Sequence, residues 1–234
     1  MGGSLSDPDG TREEILAAAF CALCDHGYAD LTIKRIGDAF AKSPSLVYHH
    51  YDGKDELLLD LLEFTLAEFQ SEAMELDSQP ADGSARAKLS GYLSATIDPG
   101  SVDDPRAPDV EFLRVLMELR AQATHDDGYR DHFDRSDRVF REFLTTLVRA
   151  AAAETAGTDE DTTAGSKPEA SEPATRSVHP REVATTFQTM TIGGVFQWAT
   201  TGDPEWVPAS KRGMERYLDA MLPLVDPAAE AAEK

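Results

Sequence analysis

The sequence predicts an all-α protein, and three observations lead to this fold class. Apolar side chains recur at helical spacing through most of the 234 residues, as at Ile15, Ala19 and Leu23. Helix-capping residues stand directly before several of these runs. No run alternates apolar and polar residues in the way that a half-buried strand requires.

The first predicted helix begins at Thr11, because Thr11 and Glu14 have the spacing of a capping box. It ends at Gly27, a residue that tolerates the left-handed conformation closing many helices. Cys21 and Cys24 lie one turn apart on this helix. The favoured interpretation is that they are two small apolar side chains packed against neighbours. A redox or metal role is the alternative, although zinc needs two further ligands and no His or Cys cluster supplies them.

Two short helices follow. Thr32 is expected to cap a second helix that runs to about Phe40. Ser43, with Pro44 in the first turn after it, is expected to cap a third helix that runs to about His50. Because only a tight turn joins them, the pair predicts a helix-turn-helix whose second helix presents its start to a major groove.

The rest of the chain is predicted to be a larger helical region. Its segment 154–180 is rich in Thr, Ala, Glu, Asp, Ser and Pro and cannot bury enough surface to offset its ordering entropy. We therefore expect a disordered loop there. The predicted helices span about 54–74, 84–97, 109–125, 129–153, 181–200 and 204–225. The predicted domains are 11–53 and 54–225, between a flexible N-terminus at 1–10 and a flexible tail at 226–234.

The chain is strongly acidic, with 43 Asp and Glu against 22 Lys and Arg and a formal charge of −21. Self-repulsion at this charge destabilises a fold in dilute buffer, and salt screens it. We interpret the composition as halophilic; an acidic mesophilic protein is the alternative. Residues 31–51 differ, because Lys34, Arg35 and Lys42 stand against Asp38 alone. A locally basic face is typical of a surface that approaches phosphates, although a chance fluctuation among solvated charges gives the same count.

Residues 11–57 resemble the DNA-binding domain of the tetracycline-repressor (TetR) family of one-component regulators, over about a fifth of the chain. The remainder agrees with that family in being helical and in ending with two substantial helices. The segment 187–203 loosely resembles the penultimate helix of betaine-pathway-type members. The residues that carry the main resemblance are Ile15, Ala19, Leu23, Gly27, Tyr28, Thr32, Ile36, Ser43, Leu46, Val47, Tyr48, His49, His50, Tyr51, Lys54, Glu56 and Leu57.

The resemblance implies which residues contact DNA. Thr32 and Tyr48 occupy positions that bond phosphates, and His49 is a neighbouring contact position. Lys54, in the first turn of helix four, adds a phosphate contact reinforced by the amides of that helix. Tyr51 fills a position that is typically a packed aromatic. The implied DNA-binding set is Thr32, Lys42, Ser43, Pro44, Ser45, Tyr48, His49 and Lys54.

The resemblance also implies that residues 54–225 bind an effector and form a dimer through the last two helices. An apolar, aromatic lining suits a small lipophilic effector, although an ordinary core has the same pattern. Adjacent glycines at 193 and 194 would allow close helix approach across a two-fold interface, with a local kink as the alternative. The pocket candidates are Phe112, Leu116, Phe140, Phe143, Phe187 and Met190. The interface candidates are Gly193, Gly194, Trp198, Tyr217 and Met221.

These expectations combine into a cytoplasmic homodimeric repressor that binds a palindromic double-stranded DNA operator and is released by a small molecule. Repression rests on the resemblance alone. The sequence has no Walker loop, dinucleotide fingerprint or nucleophile elbow, so we expect neither an enzyme nor a cofactor or metal. It has no run of 18 apolar residues, so we expect no membrane partner. The alternative function is a helical protein–protein adaptor with a vestigial helix-turn-helix.

Overall fold

The fold is helical, as the sequence predicts. In the computed structural model, the described residues are 5, 7–40, 42, 45–78, 84–99, 110–160 and 177–228. The helices are α1 (Thr11–Asp30), α2 (Ile33–Ala39), α3 (Ser45–His50), α4 (Lys54–Ser78), α5 (Ala85–Ile97), α6 (Val110–Gln122), α7 (Asp127–Glu160), α8 (Pro180–Thr200) and α9 (Val207–Met221), before a 3₁₀ turn at Leu222–Leu224. None of these helices is long and apolar enough to span a bilayer.

The chain divides into two compact units. The first unit comprises Met1–Ser78, Pro99–Asp137 and Val195–Thr200, and the second comprises Gln79–Asp98, Arg138–Gly194 and Thr201–Lys234. Helices α7 and α8 therefore contribute residues to both units. The predicted boundary after residue 53 differs from this division, because α1 packs against α4 and α6 and shares one core with them.

The start of α1 differs from the predicted capping box. The N-cap is Gly10, and Thr11 is already the first helical residue. The carboxylate that reaches back belongs to Glu13, whose Oε2 accepts a hydrogen bond from the backbone N–H of Asp9 at 2.8 Å. The prediction that Thr11 and Glu14 cap each other is therefore wrong, because the helix begins one residue earlier than that motif requires.

A kink at Gly27 precedes the end of α1. Gly27 has φ 69° and ψ 165°, so the expected positive φ is present, although the helix resumes and continues to Asp30. The next backbone N–H, that of Tyr28, donates to Glu118 Oε1 at 2.7 Å. A Cβ atom at position 27 would lie 3.0 Å from the same oxygen. Backbone conformation and the approach of α6 both favour glycine here.

The core of the first unit holds the three N-terminal helices against α4. Each of these four helices contributes large aliphatic side chains that are at most 1% exposed. Burial of such a side chain contributes about 1.5–3 kcal/mol. These residues are Ile15, Leu16 and Leu23 from α1, Ile36 from α2, Val47 from α3, and Leu57 and Leu58 from α4.

In the second unit, α5 packs against α9, and a short backbone bridge joins the residues before α8 to those after α9. Arg86 on α5 pairs with Glu215 and Asp219 on α9. The backbone N–H of Val178 donates to the carbonyl of Leu224 at 2.7 Å, in a parallel bridge between Val178 and Val225. This bridge joins the segment before α8 to the residue that follows the 3₁₀ turn.

The predicted flexible segments are partly ordered. Residues 154–160 continue α7, where Glu154 accepts a hydrogen bond from the N–H of Ala85 at 2.7 Å, so the predicted loop 154–180 begins too early. Residues 161–176 lie outside the described residues. In the predicted N-terminal arm, Leu5 is buried. In the predicted tail, the N–H of Asp226 donates to the carbonyl of Val178 at 3.1 Å.

Candidate nucleic-acid interface

Helix α2 begins as the sequence predicts. The Oγ1 atom of Thr32 accepts a hydrogen bond from the backbone N–H of Arg35 at 3.2 Å, which is the side-chain cap expected from an N-cap threonine. Thr32 is exposed, and Ile36 and Gly37 on the inner face are buried. The cap therefore fixes the helix start at the protein surface, and the hydroxyl proton of Thr32 stays available as a donor.

Helix α3 turns one face inward and one outward. Val47 is fully buried, whereas Ser45, Tyr48 and His49 are exposed, with Tyr48 at 61%. Packing within the chain does not account for the outward orientation of Tyr48. The outward face of α3 therefore presents three hydrogen-bonding side chains to solvent. Ser43 and Pro44, the predicted cap and first turn of this helix, lie outside the described residues.

The chain after α3 is anchored by a polar cluster. Tyr51 is buried, as predicted, and its hydroxyl donates to Asp60 Oδ2 at 2.6 Å. Arg12 binds the same carboxylate through Nε and Nη2, at 2.9 and 2.6 Å. Burial alone would raise the pKa of Asp60, but the hydrogen bonds from Arg12 and Tyr51 lower it below its usual value. The cluster thus ties the end of α3 to α1 and α4.

Every Lys and Arg side chain between residues 11 and 57 has an acceptor within the chain. Two of the five, Lys42 and Lys54, belong to the predicted DNA-binding set. The five contacts are Arg12 with Asp60, Lys34 with Asp38, Arg35 with the carbonyl of Asp30, Lys42 with Glu14, and Lys54 with the carbonyl of Tyr28.

Lys42 and Lys54 are held in different ways. The Lys42 ammonium lies 2.5 Å from Glu14 Oε2, and the two side chains are 47% and 31% exposed. The Lys54 ammonium donates to the carbonyl of Tyr28 at 2.8 Å and lies 4.0 Å from the centre of the Tyr28 ring. An exposed ion pair exchanges readily with a phosphate. Lys54, by contrast, joins the start of α4 to the kink of α1.

A second polar cluster lies beside Lys54. The hydroxyls of Tyr28 and Tyr129 both donate to Asp55 Oδ1, at 2.8 and 3.1 Å, and their rings meet edge to face at 6.3 Å. Burial, together with the hydrogen bond to Asp55, raises the pKa of Tyr28 to about 12. The cluster joins α1, α4 and α7 of the first unit. Sequence reasoning missed it, because its members come from three separate segments.

The predicted effector residues fall in both units. Phe112 and Leu116 line a cavity of about 10 Å³ in the first unit, with room for about one water molecule. In the second unit, Phe143 packs edge-on against Tyr92 at 5.2 Å and Phe187 against Tyr217 at 5.3 Å. Phe140 is half-buried and Met190 is 37% exposed. Their role in binding an effector remains a prediction.

The predicted interface residues differ in exposure. Gly193 is exposed with open space around it, and Trp198, Tyr217 and Met221 are half-buried. Gly194 is buried, and a Cβ atom there would lie 3.2 Å from Ile97 Cγ1. The close approach that favours glycine at position 194 is therefore to α5 of the same chain, which is a different reason from the predicted contact across an interface.

Comparisons with known proteins agree with this geometry. Residues 15–61 match the family described as bacterial regulatory proteins, tetR family. The chain is 37% identical over 145 residues to the HTH-type transcriptional repressor AcnR of Corynebacterium glutamicum, over 60% of this chain and 68% of that protein. It is 26% identical over 138 residues to AcnR of Corynebacterium efficiens, over 57% of this chain and 64% of that protein. A TetR transcription regulator from Haloarcula marismortui aligns with a TM-score of 0.65 at 27% identity, over 90% of this chain and 97% of that one. The chain belongs to the TetR family of bacterial regulatory proteins.

Proposed function

We propose that the chain is a homodimeric repressor that binds a palindromic operator and is released from it by a small lipophilic effector. As a TetR-family member it is a DNA-binding transcriptional regulator and not an enzyme. Repression is proposed because both AcnR relatives are named as repressors. The observation that carries the proposal is the outward face of α3, where Ser45, Tyr48 and His49 are exposed above a buried Val47.

In the proposed complex, α3 enters the major groove and α2 crosses the backbone. The exposed hydroxyls of Tyr48 and Thr32 donate to phosphates, which fixes the register of the helix on the duplex. Ser45 and His49 face base edges from the first and second turns of α3. Lys42 adds a phosphate contact once it leaves Glu14, and Ser43 and Pro44 complete the predicted set.

Dimerisation through α8 and α9 is supported by the small side chains that these helices expose. On α8, Thr189 and Gly193 are exposed one turn apart. On α9, Gly213 and Ala220 are exposed, and Leu224 follows at 37% exposure. Small exposed side chains allow helices to approach closely, and an isologous interface would present the same face from both copies. Half-buried Trp198, Tyr217 and Met221 would add apolar area at its edges.

Release by an effector requires a more open conformer than the one described. The cavity lined by Phe112 and Leu116 has mostly apolar walls and room for about one water molecule. A lipophilic effector would therefore favour a minor, expanded state, and the operator would favour the closed one. Linkage then requires the operator to weaken effector binding by the same factor by which the effector weakens DNA binding.

The test is selection of binding sites from randomised duplex DNA at about 0.1 M and about 1 M KCl, where the Debye length is about 10 Å and 3 Å. Enrichment of an inverted repeat, with a mass of two chains in light scattering, supports the proposal. Tyr48→Ala should abolish enrichment, whereas Asp25→Ala, at an exposed position of α1, should not. A folded dimeric protein that enriches no site refutes the proposed operator binding.

A further inference from the structure

Cys21 and Cys24 lie on the solvent side of α1. Both side chains are exposed, and neither forms a disulfide. The predicted packing of these residues against neighbours is therefore wrong. The reason is the register of α1, which buries Ile15, Ala19 and Leu23 and turns positions 21 and 24 the other way. Two nucleophilic side chains are thus exposed on the same helix of the first unit.

Their spacing decides which chemistry suits them. Residues three apart on a helix are neighbours on one face, with Cβ atoms about 5–6 Å apart. A disulfide needs Cβ atoms about 3.5–4.5 Å apart, so closing one between Cys21 and Cys24 would require α1 to distort. A ligand atom placed between the two sulfurs removes this difficulty, because it lengthens the bridge while the helix keeps its geometry.

The coordination number of that atom is limited by the residues present. Among the residues that the structure describes, no group of three or more His, Cys, Asp or Glu side chains could hold a metal ion. A four-coordinate zinc site therefore lacks ligands here. A soft atom that needs only two sulfur ligands fits the pair, since thiolates select soft partners.

We propose that Cys21 and Cys24 form a dithiol site for a soft, thiophilic atom that bridges both sulfurs, of the class represented by mono-organic trivalent arsenicals. Such a reagent has two exchangeable positions for two thiols. On binding phenylarsine oxide, two As–S bonds form, the arsenic–oxygen bond breaks, and the oxygen leaves as water with both thiol protons. Arsenic stays trivalent, so the step needs no oxidant or reductant. The inference is independent of the proposed effector.

The test measures binding of phenylarsine oxide to the full-length protein by intact mass, followed by displacement with glutathione. The wild-type chain should bind one arsenical, and both of its thiols should then no longer react with an alkylating reagent. A second sulfur in the same molecule acts at high effective concentration. The glutathione concentration that displaces half of the bound arsenical should therefore be roughly a hundredfold higher for the wild type than for either Cys21→Ser or Cys24→Ser. Because both residues are exposed, these variants should keep the wild-type circular dichroism and melting temperature.

A matched control separates spacing from thiol number. Cys24→Ser combined with Asp30→Cys keeps two exposed positions on α1 but sets them nine residues apart, one on each side of the kink at Gly27. This variant should release the arsenical as readily as the single serine variants. The proposal is overturned if it holds the arsenical as firmly as the wild type, if the wild type binds one arsenical at each thiol, or if arsenic joins two chains.

Discussion

Replacing Glu14 with glutamine should tighten DNA binding, because Glu14 holds the ammonium of Lys42 in the free chain. The two groups lie 2.5 Å apart. Glu14 Oε2 is buried, and its charge is compensated by this ion pair with Lys42. A phosphate can use Lys42 fully only when the ammonium leaves Glu14. Glutamine keeps the shape of the side chain and removes the competing charge.

The size of the effect follows from the exposure of the pair. The side chains are 47% and 31% exposed, so solvent screens the interaction to about 0.2–1 kcal/mol. Release of Lys42 should therefore tighten binding about 1.4- to fivefold at about 0.1 M salt. The slope of log affinity against log salt should steepen by up to about 0.9, which is one phosphate contact. The gain should be negligible at about 1 M salt, where the Debye length is about 3 Å.

The assay is fluorescence anisotropy on the selected operator over this salt range, with Glu13→Gln as the matched control. Glu13 is the neighbouring residue and carries the same charge, but its carboxylate accepts from the N–H of Asp9 instead of pairing with Lys42. An equal gain in both variants would show a general loss of negative charge and refute the reasoning. So would an unchanged gain from Glu14→Gln when Lys42 is replaced by Met.

Three further predictions concern single side chains. Tyr48→Phe should weaken operator binding by about 0.5–1.5 kcal/mol in the anisotropy assay and leave the melting temperature unchanged, because the hydroxyl is exposed in the free chain. Burial lowers the pKa of His132 below 6.5, partly opposed by Asp137, so the stability it contributes is complete above pH 6.5 and is lost as pH falls through the folded-state pKa. His132→Gln should flatten the dependence of the urea midpoint on pH below about 6.5, and an unchanged slope there would assign it to other groups. Gly27→Ala should lower the free energy of unfolding by more than about 1 kcal/mol, because φ is +69° and a Cβ atom there would press on the carboxylate of Glu118. Gly53→Ala meets open space and should be neutral or stabilising by up to about 1 kcal/mol. Equal changes in the two variants would contradict this account.

The sequence was sufficient to predict features that depend on neighbouring residues. The cap of Thr32 on α2 and the positive φ of Gly27 follow from local patterns, and the resemblance to the TetR family implied the buried aromatic at Tyr51; the structure contains each of them. The capping box of α1 is an informative failure. Glu13 and Glu14 both lie within reach of the helix start, and which one turns back depends on whether a partner such as Lys42 engages the other.

Features that depend on distant residues could not be predicted. Nothing near Lys54 in the sequence indicates that its ammonium lies over the ring of Tyr28, 26 residues away. The glycine at 194 is favoured by Ile97, on a helix almost a hundred residues earlier. The exposure of Cys21 depends on which face of α1 meets α4 and α6, and several registers of this alanine-rich helix would satisfy its apolar pattern.

The charges of residues 11–57 explain why recognition of DNA should depend on uncharged groups. Residues 11–57 contain five Lys and Arg against eight Asp and Glu, and each cation already has an acceptor within the chain. A phosphate that binds Lys42 replaces Glu14 rather than solvent, so less free energy comes from counterion release than the number of contacts suggests. The hydrogen bonds proposed from Thr32 and Tyr48 to phosphates would replace no ion pair and would be weakly affected by screening. We therefore expect an operator affinity that is modest in dilute buffer and persists at high salt.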